Sequence, residues 1–237
     1  MNEKLKGIVT VFVDIDDTLW WFTENSKLAL RHTFDAFDIS SVCTYERFKE
    51  VYLKKNLELW NLYHHGLIDK DFLVNERFRF TLKECGYKGD VEKMCHLLDE
   101  EYLRFLALQS TTIPGARQLL EYLVAKGYDV NTLSNGFQGT QQQKLISGGL
   151  SDLIHRNVLS DDCGITKPQR GIFDYALEQC GAEVATTVMI GDNPDADIKG
   201  AHDAGWRTIY FNIRGLDPIE GTADAVVTSL DEIQQIL

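Results

Sequence analysis

The chain has no CxxC pair among its five cysteines, no apolar run close to the ~18 residues that a membrane-crossing helix needs, no low-complexity tract, and too little positive charge to balance its acids. Each shortage removes a class of protein. An odd, scattered set of cysteines argues against a secreted disulfide framework and for a reducing compartment, so a cytoplasmic protein is expected. Met1 to Gly7 carries lysines, but no apolar stretch ending in small residues follows, so no leader is expected there. With 36 acidic against 24 basic residues the net charge is −12. That balance repels phosphate backbones and anionic lipid, which excludes general nucleic-acid and membrane-surface binding. A phosphorylated ligand would need a local positive device instead.

What is there is the composition of an ordinary folded protein, 44% hydrophobic and 25% charged. Gly7 to Val13 (GIVTVFV) is a short β-branched run that stops at an acidic cluster, which reads as a buried strand. From Trp20 onward the period changes. Phe48, Val51, Tyr52, Leu59 and Leu62 recur at helical spacing, and Gly66, Gly86 and Gly89 punctuate the segment into about four helices. After Pro114-Gly115 helix and strand alternate: Ala116 to Lys126, Asp129 to Leu133, Thr140 to Ile146, Asn157 to Leu159, Gly171 to Cys180, Thr187 to Ile190, Asp197 to Ala204, Thr208 to Phe211 and Ala225 to Val227. Alternation of this kind implies a parallel sheet covered on both faces. The expected fold is therefore α/β, a doubly wound, Rossmann-like parallel sheet formed by residues 1–19 and 110–237, with an all-α helical bundle inserted at 20–109.

In such sheets ligands collect beyond the carboxyl ends of the strands. Polar residues gather at four loops there: Asp14-Ile15-Asp16-Asp17-Thr18, Ser134-Asn135-Gly136, Lys167-Pro168, and Gly191-Asp192 continuing to Asp197. Asp14 and Asp16 lie two apart at a strand end, so persisting extended backbone would turn both carboxylates to one side. With Asp192 and Asp197 nearby they call for a cation between them, and hard oxygen donors favour Mg²⁺. A carboxylate attacks a phosphate dianion only if the charge is neutralised, which Lys167 and the metal would do. Ser134 and the backbone N–H groups of Asn135 and Gly136 are placed to hold phosphate oxygens. Asp16 is placed to protonate the leaving oxygen and then to activate water. Thr18 is grouped with the substrate-contacting residues, steadying the motif loop.

In order and spacing, DxDxT at Asp14, Asp16 and Thr18, the Ser134-Asn135-Gly136 turn, Lys167-Pro168 and GDxxxxD ending at Asp197 resemble the haloacid dehalogenase superfamily over essentially the whole chain. The resemblance implies an aspartyl-phosphate mechanism. Asp14 is then the nucleophile, Asp16 the acid/base with its backbone carbonyl at the Mg²⁺, Ser134 and Lys167 the phosphate holders, and Asp192 the further metal ligand. Asp197 matches a position that meets the metal through water or orients the lysine. The inserted helices resemble the cap of the subfamily that includes phosphoglycolate phosphatases, β-phosphoglucomutases and pyrimidine 5′-nucleotidases. Phe137, Gln141-Gln142 and Ile172 to Leu177 look most like the nucleotidase branch. The implied enzyme is a Mg²⁺-dependent phosphatase of a small phosphorylated substrate, acting as monomer or homodimer. Its rivals are a phosphoglycolate or sugar-phosphate phosphatase, a phosphosugar mutase and a 2-haloacid dehalogenase, and Asp16 argues against the last because such dehalogenases lack an acidic residue there.

The remaining candidates have plainer readings. Asp17 and Asp195 fall off the motif positions, the six histidines have no metal-ligand spacing, and the cysteines read as small buried hydrophobes. Trp20-Trp21-Phe22 reads as packing within the helical insertion, ahead of a stacking surface.

Overall fold

Thr10–Val13 forms the first strand, β1, every residue of which is buried; the computed structural model that defines it describes residues 4–237, so the first three residues of the Met1–Gly7 stretch lie outside it. Four helices follow: α1 (Phe22–Ala36), α2 (Tyr45–His64), α3 (Lys70–Glu84) and α4 (Val91–Ala107). Then helix and strand alternate through α5 (Ala116–Ala125), β2 (Asp129–Ser134), α6 (Gln138–Ser147), β3 (Arg156–Leu159), the short α7 (Ser160–Cys163), α8 (Arg170–Cys180), β4 (Thr187–Gly191), α9 (Gly200–Asp203), β5 (Arg207–Phe211) and β6 (Ala225–Val227). The chain divides into two compact units, Met1–Phe22 with Ser110–Leu237, and Thr23–Gln109. Among the described residues no helix is long and apolar enough to cross a membrane.

The first unit holds one parallel sheet in the order β3-β2-β1-β4-β5-β6. The chain moves outward from β1 to β3 and then returns to β4 on the other side of β1. That reversal leaves a crevice beyond the carboxyl ends of β1 and β4. Phe12, Leu133, Val158 and Met189 project from one face into a core completed by Ile172, Phe173 and Ala176 of α8, by Ala201 of α9, and by Ala204 and Trp206 just after it. The period-2 pattern of the strands and the 3.6 period of α8 therefore meet in one cluster.

One expected helix differs. Asp197 to Ala204 reads as a single helix in the sequence, whereas Pro194–Lys199 is a wider π-helical turn that runs into α9. The Asn193 side chain starts this turn by accepting the N–H groups of Asp195 and Ala196, both at 3.0 Å. π-helical turns often accompany functional sites, and this one carries Asp197.

The second unit is entirely helical. Thr44, Asp69 and Asp90 each cap a helix by accepting the N–H three residues on, from Arg47, Phe72 and Lys93. Phe48, Tyr52, Phe78 and Tyr102 pack ring against ring in the core, with Tyr52 and Phe78 centred 4.7 Å apart. Beside them Arg77 is buried with Asp99, at 2.6 Å through Nε and 2.5 Å through Nη2. Removing one partner of such a pair strands the other charge away from water, a loss of about 3–5 kcal/mol. Asp99→Ala should therefore lower the urea midpoint steeply, while Arg77→Met with Asp99→Leu should recover most of it; a single-variant loss below about 1 kcal/mol would contradict this reading.

Two local expectations need correction. Trp20, Trp21 and Phe22 do not group with the helical insertion: Trp20 is fully buried, bridges Asp16 and Thr112 along the backbone, and belongs to the sheet unit. Of the five free cysteines only Cys95 is buried; the other four are half-buried.

Candidate active site

Asp14 follows β1 directly, and its N–H donates to the Ile190 carbonyl of β4 at 2.9 Å. That bond ties the ends of β1 and β4 together, and Asp192 lies just past β4. Asp14, Asp192 and Asp197 each present a carboxylate oxygen within 4.8 Å of the others, all three residues being buried. Gly191 is what lets Asp197 come in, since a Cβ at 191 would collide with the Asp197 carboxylate.

Lys167 is the charge set among them. It is almost wholly buried, and its ammonium donates to Asp14 Oδ1 at 2.7 Å, Asp197 Oδ1 at 2.7 Å and the Leu133 carbonyl at 2.6 Å. Three acceptors use all three ammonium hydrogens, so the lysine is fixed in direction as well as in charge. Its backbone is fixed too. Asn135 Nδ2 donates to the Lys167 carbonyl and Asn135 Oδ1 accepts the Lys167 N–H, both at 2.8 Å. The Asn135 side chain thus clamps the lysine loop, a role the sequence did not suggest.

Burial raises the Asp14 carboxyl, against the pull of Lys167, to about 7. Burial likewise holds Asp192 well above the ordinary carboxylate range, against the pull of Arg214. Lys167 is pulled down by burial, but Asp14 and Asp197 outweigh that and leave it above its usual value. These shifts share one cause: three carboxylates are withdrawn from water with too little positive charge among them. An all-oxygen donor set of this kind fits a divalent hard cation, with Asp14, Asp192 and Asp197 as the residues to hold it.

Asp16 departs from the expectation that it would share that ion through its side chain. Its carboxylate receives Lys144 Nζ at 2.7 and 3.0 Å and Gln141 Nε2 at 3.0 Å. Donors on α6 take the Asp16 carboxylate, and past it the chain turns: Asp17 takes a left-handed conformation at φ 58°, and the Leu19 and Trp20 N–H groups return to the Ile15 carbonyl. Thr18 also departs from its assignment as a substrate contact, being fully buried with its hydroxyl 3.5 Å from Asp192 Oδ1. It supports a carboxylate instead.

Ser134 ends β2, and its Oγ accepts the Gly136 N–H at 3.2 Å and Gln141 Nε2 at 2.6 Å. A Cβ on Gly136 would collide with the Gln141 side chain, so the small residue opens that path. Three participants escaped the sequence reading as site residues. Arg214 Nη2 lies 2.5 Å from Asp192 Oδ2, and Gln141 and Lys144 belong to α6. A signal existed for Lys144: with Gln141 and Leu145 it shares one helix face, the buried one, where a lysine is out of place.

Known proteins resemble the chain over most of its length. The Escherichia coli pyrimidine 5′-nucleotidase YjjG is 33% identical over 229 residues, spanning 96% of this chain and 96% of that protein. The pyrimidine 5′-nucleotidase PynA of Streptococcus pneumoniae is 30% identical over 205 residues, 86% of this chain and 84% of that one. The crystal structure of the Bacillus subtilis HAD-hydrolase YfnB bound to magnesium is similar at a TM-score of 0.87 and 31% identity, covering 98% of this chain and 99% of that one. The model of haloacid dehalogenase-like hydrolases matches residues 8–205. The chain belongs to the haloacid dehalogenase-like hydrolase family.

Proposed function

We propose that the protein is a Mg²⁺-dependent phosphomonoester hydrolase of the cytoplasm that acts on nucleoside 5′-monophosphates, pyrimidine nucleotides foremost. The observation that carries the chemistry is the Lys167 ammonium held between Asp14 and Asp197, with Asp192 close by. An oxygen of Asp14 attacks phosphorus, and the bond from phosphorus to the ester oxygen breaks. The leaving oxygen takes a proton from Asp16. Water then gives a proton to Asp16 and attacks the aspartyl phosphate, releasing inorganic phosphate and the Asp14 carboxylate. Lys167 offsets the charge of the transferring group, and the Ser134 hydroxyl with the Asn135 N–H holds its oxygens, the expected Gly136 N–H being turned to Ser134 Oγ instead. Bound at Asp14, Asp192 and Asp197, Mg²⁺ would supply further charge neutralisation for the phosphoryl oxygens. The nucleotidase relatives support the substrate class. Five free cysteines favour a reducing setting.

A panel of nucleoside monophosphates, phosphoglycolate and sugar phosphates, assayed with Mg²⁺ and with EDTA, tests this reading. Pyrimidine monophosphates should lead in kcat/KM and EDTA should abolish turnover; a phosphoglycolate or hexose phosphate leader, or full activity in EDTA, would overturn it.

The raised Asp14 sets a pH dependence. Between about 4 and 7 the folded, metal-free protein keeps a proton on Asp14 that the unfolded chain releases, so its stability falls as pH climbs through that window. Mg²⁺ held there would displace that proton and remove the penalty. The rise in Tm on adding Mg²⁺ should therefore be larger at about pH 8 than at about pH 5.5, and an equal or reversed difference would contradict the assignment of Asp14 as a ligand.

A further inference from the structure

Lys144 lies on α6, its side chain only 4% exposed, yet its ammonium is not at the carboxylate cluster. It rests between the Asp16 carboxylate and two aromatic rings, 4.8 Å from the centre of Trp20 and 5.2 Å from that of Phe22. Burying a lysine is costly unless a partner and a surrounding surface compensate, and here both are supplied by the stretch of chain that carries Asp16. One turn earlier on the same helix, Gln141 is also fully buried. Its single amide nitrogen donates to Asp16 Oδ2 and to Ser134 Oγ. The empty position at Gly136 gives that amide its route. Two buried side chains of one helix thus fix a carboxylate that belongs to a loop more than a hundred residues away.

We propose that Lys144 and Gln141 are positioning residues that hold the Asp16 carboxylate for proton transfer to the leaving oxygen, and that through Gln141 this position is tied to Ser134. The inference rests on Asp16 being the acid of the proposed hydrolase. The Asp16 side chain nonetheless remains 30% exposed, so it stays within reach of substrate and of water. Three hydrogen bonds from Lys144 and Gln141, spread over both oxygens, remove its rotational freedom. Orientation of this kind matters for the step in which a proton moves and hardly at all for one in which none does.

The leaving group therefore provides the test. Expulsion of p-nitrophenolate needs no proton, whereas a nucleoside alkoxide does, and kcat/KM reports only the steps up to formation of the aspartyl phosphate. Lys144→Met should lose about 10–100-fold in kcat/KM on thymidine 5′-monophosphate and less than about 3-fold on p-nitrophenyl phosphate. Lys144→Arg should recover much of the difference. Gln141→Ala, which keeps the buried ion pair, should show the same selectivity at smaller size and serves if Lys144→Met folds poorly. Equal losses on both substrates, or none on either, would overturn the inference. Asp16→Asn, measured beside them, separates the two claims. If that variant is itself unselective, the assignment of Asp16 as acid fails; if it is selective and the Lys144 and Gln141 variants are not, only the positioning role fails.

Discussion

Asp14→Asn should reduce kcat by about 10⁴-fold or more on every phosphomonoester, whatever its leaving group, while the protein still folds. An amide of the same shape cannot attack phosphorus to form the acyl phosphate, and no neighbour replaces it: Asp16 is engaged by Lys144, and Asp197 accepts from both Lys167 and the Asn193 N–H. Folding survives for an electrostatic reason. Lys167 keeps Asp197 Oδ1 and the Leu133 carbonyl, and the substitution removes one of three crowded buried carboxylates. The Tm measured without metal should stay level or rise. Turnover within about tenfold of the parent would remove Asp14 from the role of nucleophile.

Lys167→Met should cost both activity and stability, and the two losses should respond differently to Mg²⁺. Loss of the charge that faces the transferring phosphoryl group should lower kcat/KM by about 10³-fold. Without metal, the same change leaves Asp14, Asp192 and Asp197 close together with only the partly exposed Arg214 for a counter-charge, an expected loss of about 3–5 kcal/mol. Mg²⁺ held at the carboxylates would restore much of the Tm but would not replace the ammonium, so activity should stay low. Thermal unfolding and steady-state rates, each with and without Mg²⁺, check this. Recovery of both together would mean that Lys167 only holds the site in shape.

Much of this was legible in the sequence because strand ends are marked twice, by the close of an apolar run and by the start of a polar one. GIVTVFV followed by Asp14 and TVMIG followed by Asp192 carry both marks, and those strands are neighbours in the sheet. The orientation of side chains beyond a strand end was not legible. Alternation predicts Asp16 beside Asp14, but it does not show that Gln141 and Lys144 of α6 take the Asp16 carboxylate instead. Nor does spacing along the chain reveal partners such as Lys144 with Asp16, Asn135 with Lys167 or Arg214 with Asp192, which meet only because the parallel sheet brings distant loops together. The π-helical turn at Pro194–Lys199 escaped for a similar reason. Its residues suit an ordinary helix, and what distinguishes it is the Asp197 carboxylate turned back to the Asn193 N–H and Lys167.

An acyl phosphate can be caught chemically, which puts the nucleophile to the most direct test. Acid-quenching the enzyme during turnover and reducing it with borohydride turns a phosphorylated aspartate into homoserine, and peptide mass spectrometry locates it. Homoserine at position 14, appearing only with Mg²⁺ and substrate present, is the predicted result. Aspartate left intact at 14 while the label appears at another carboxylate, or nowhere under conditions of full turnover, would contradict the account.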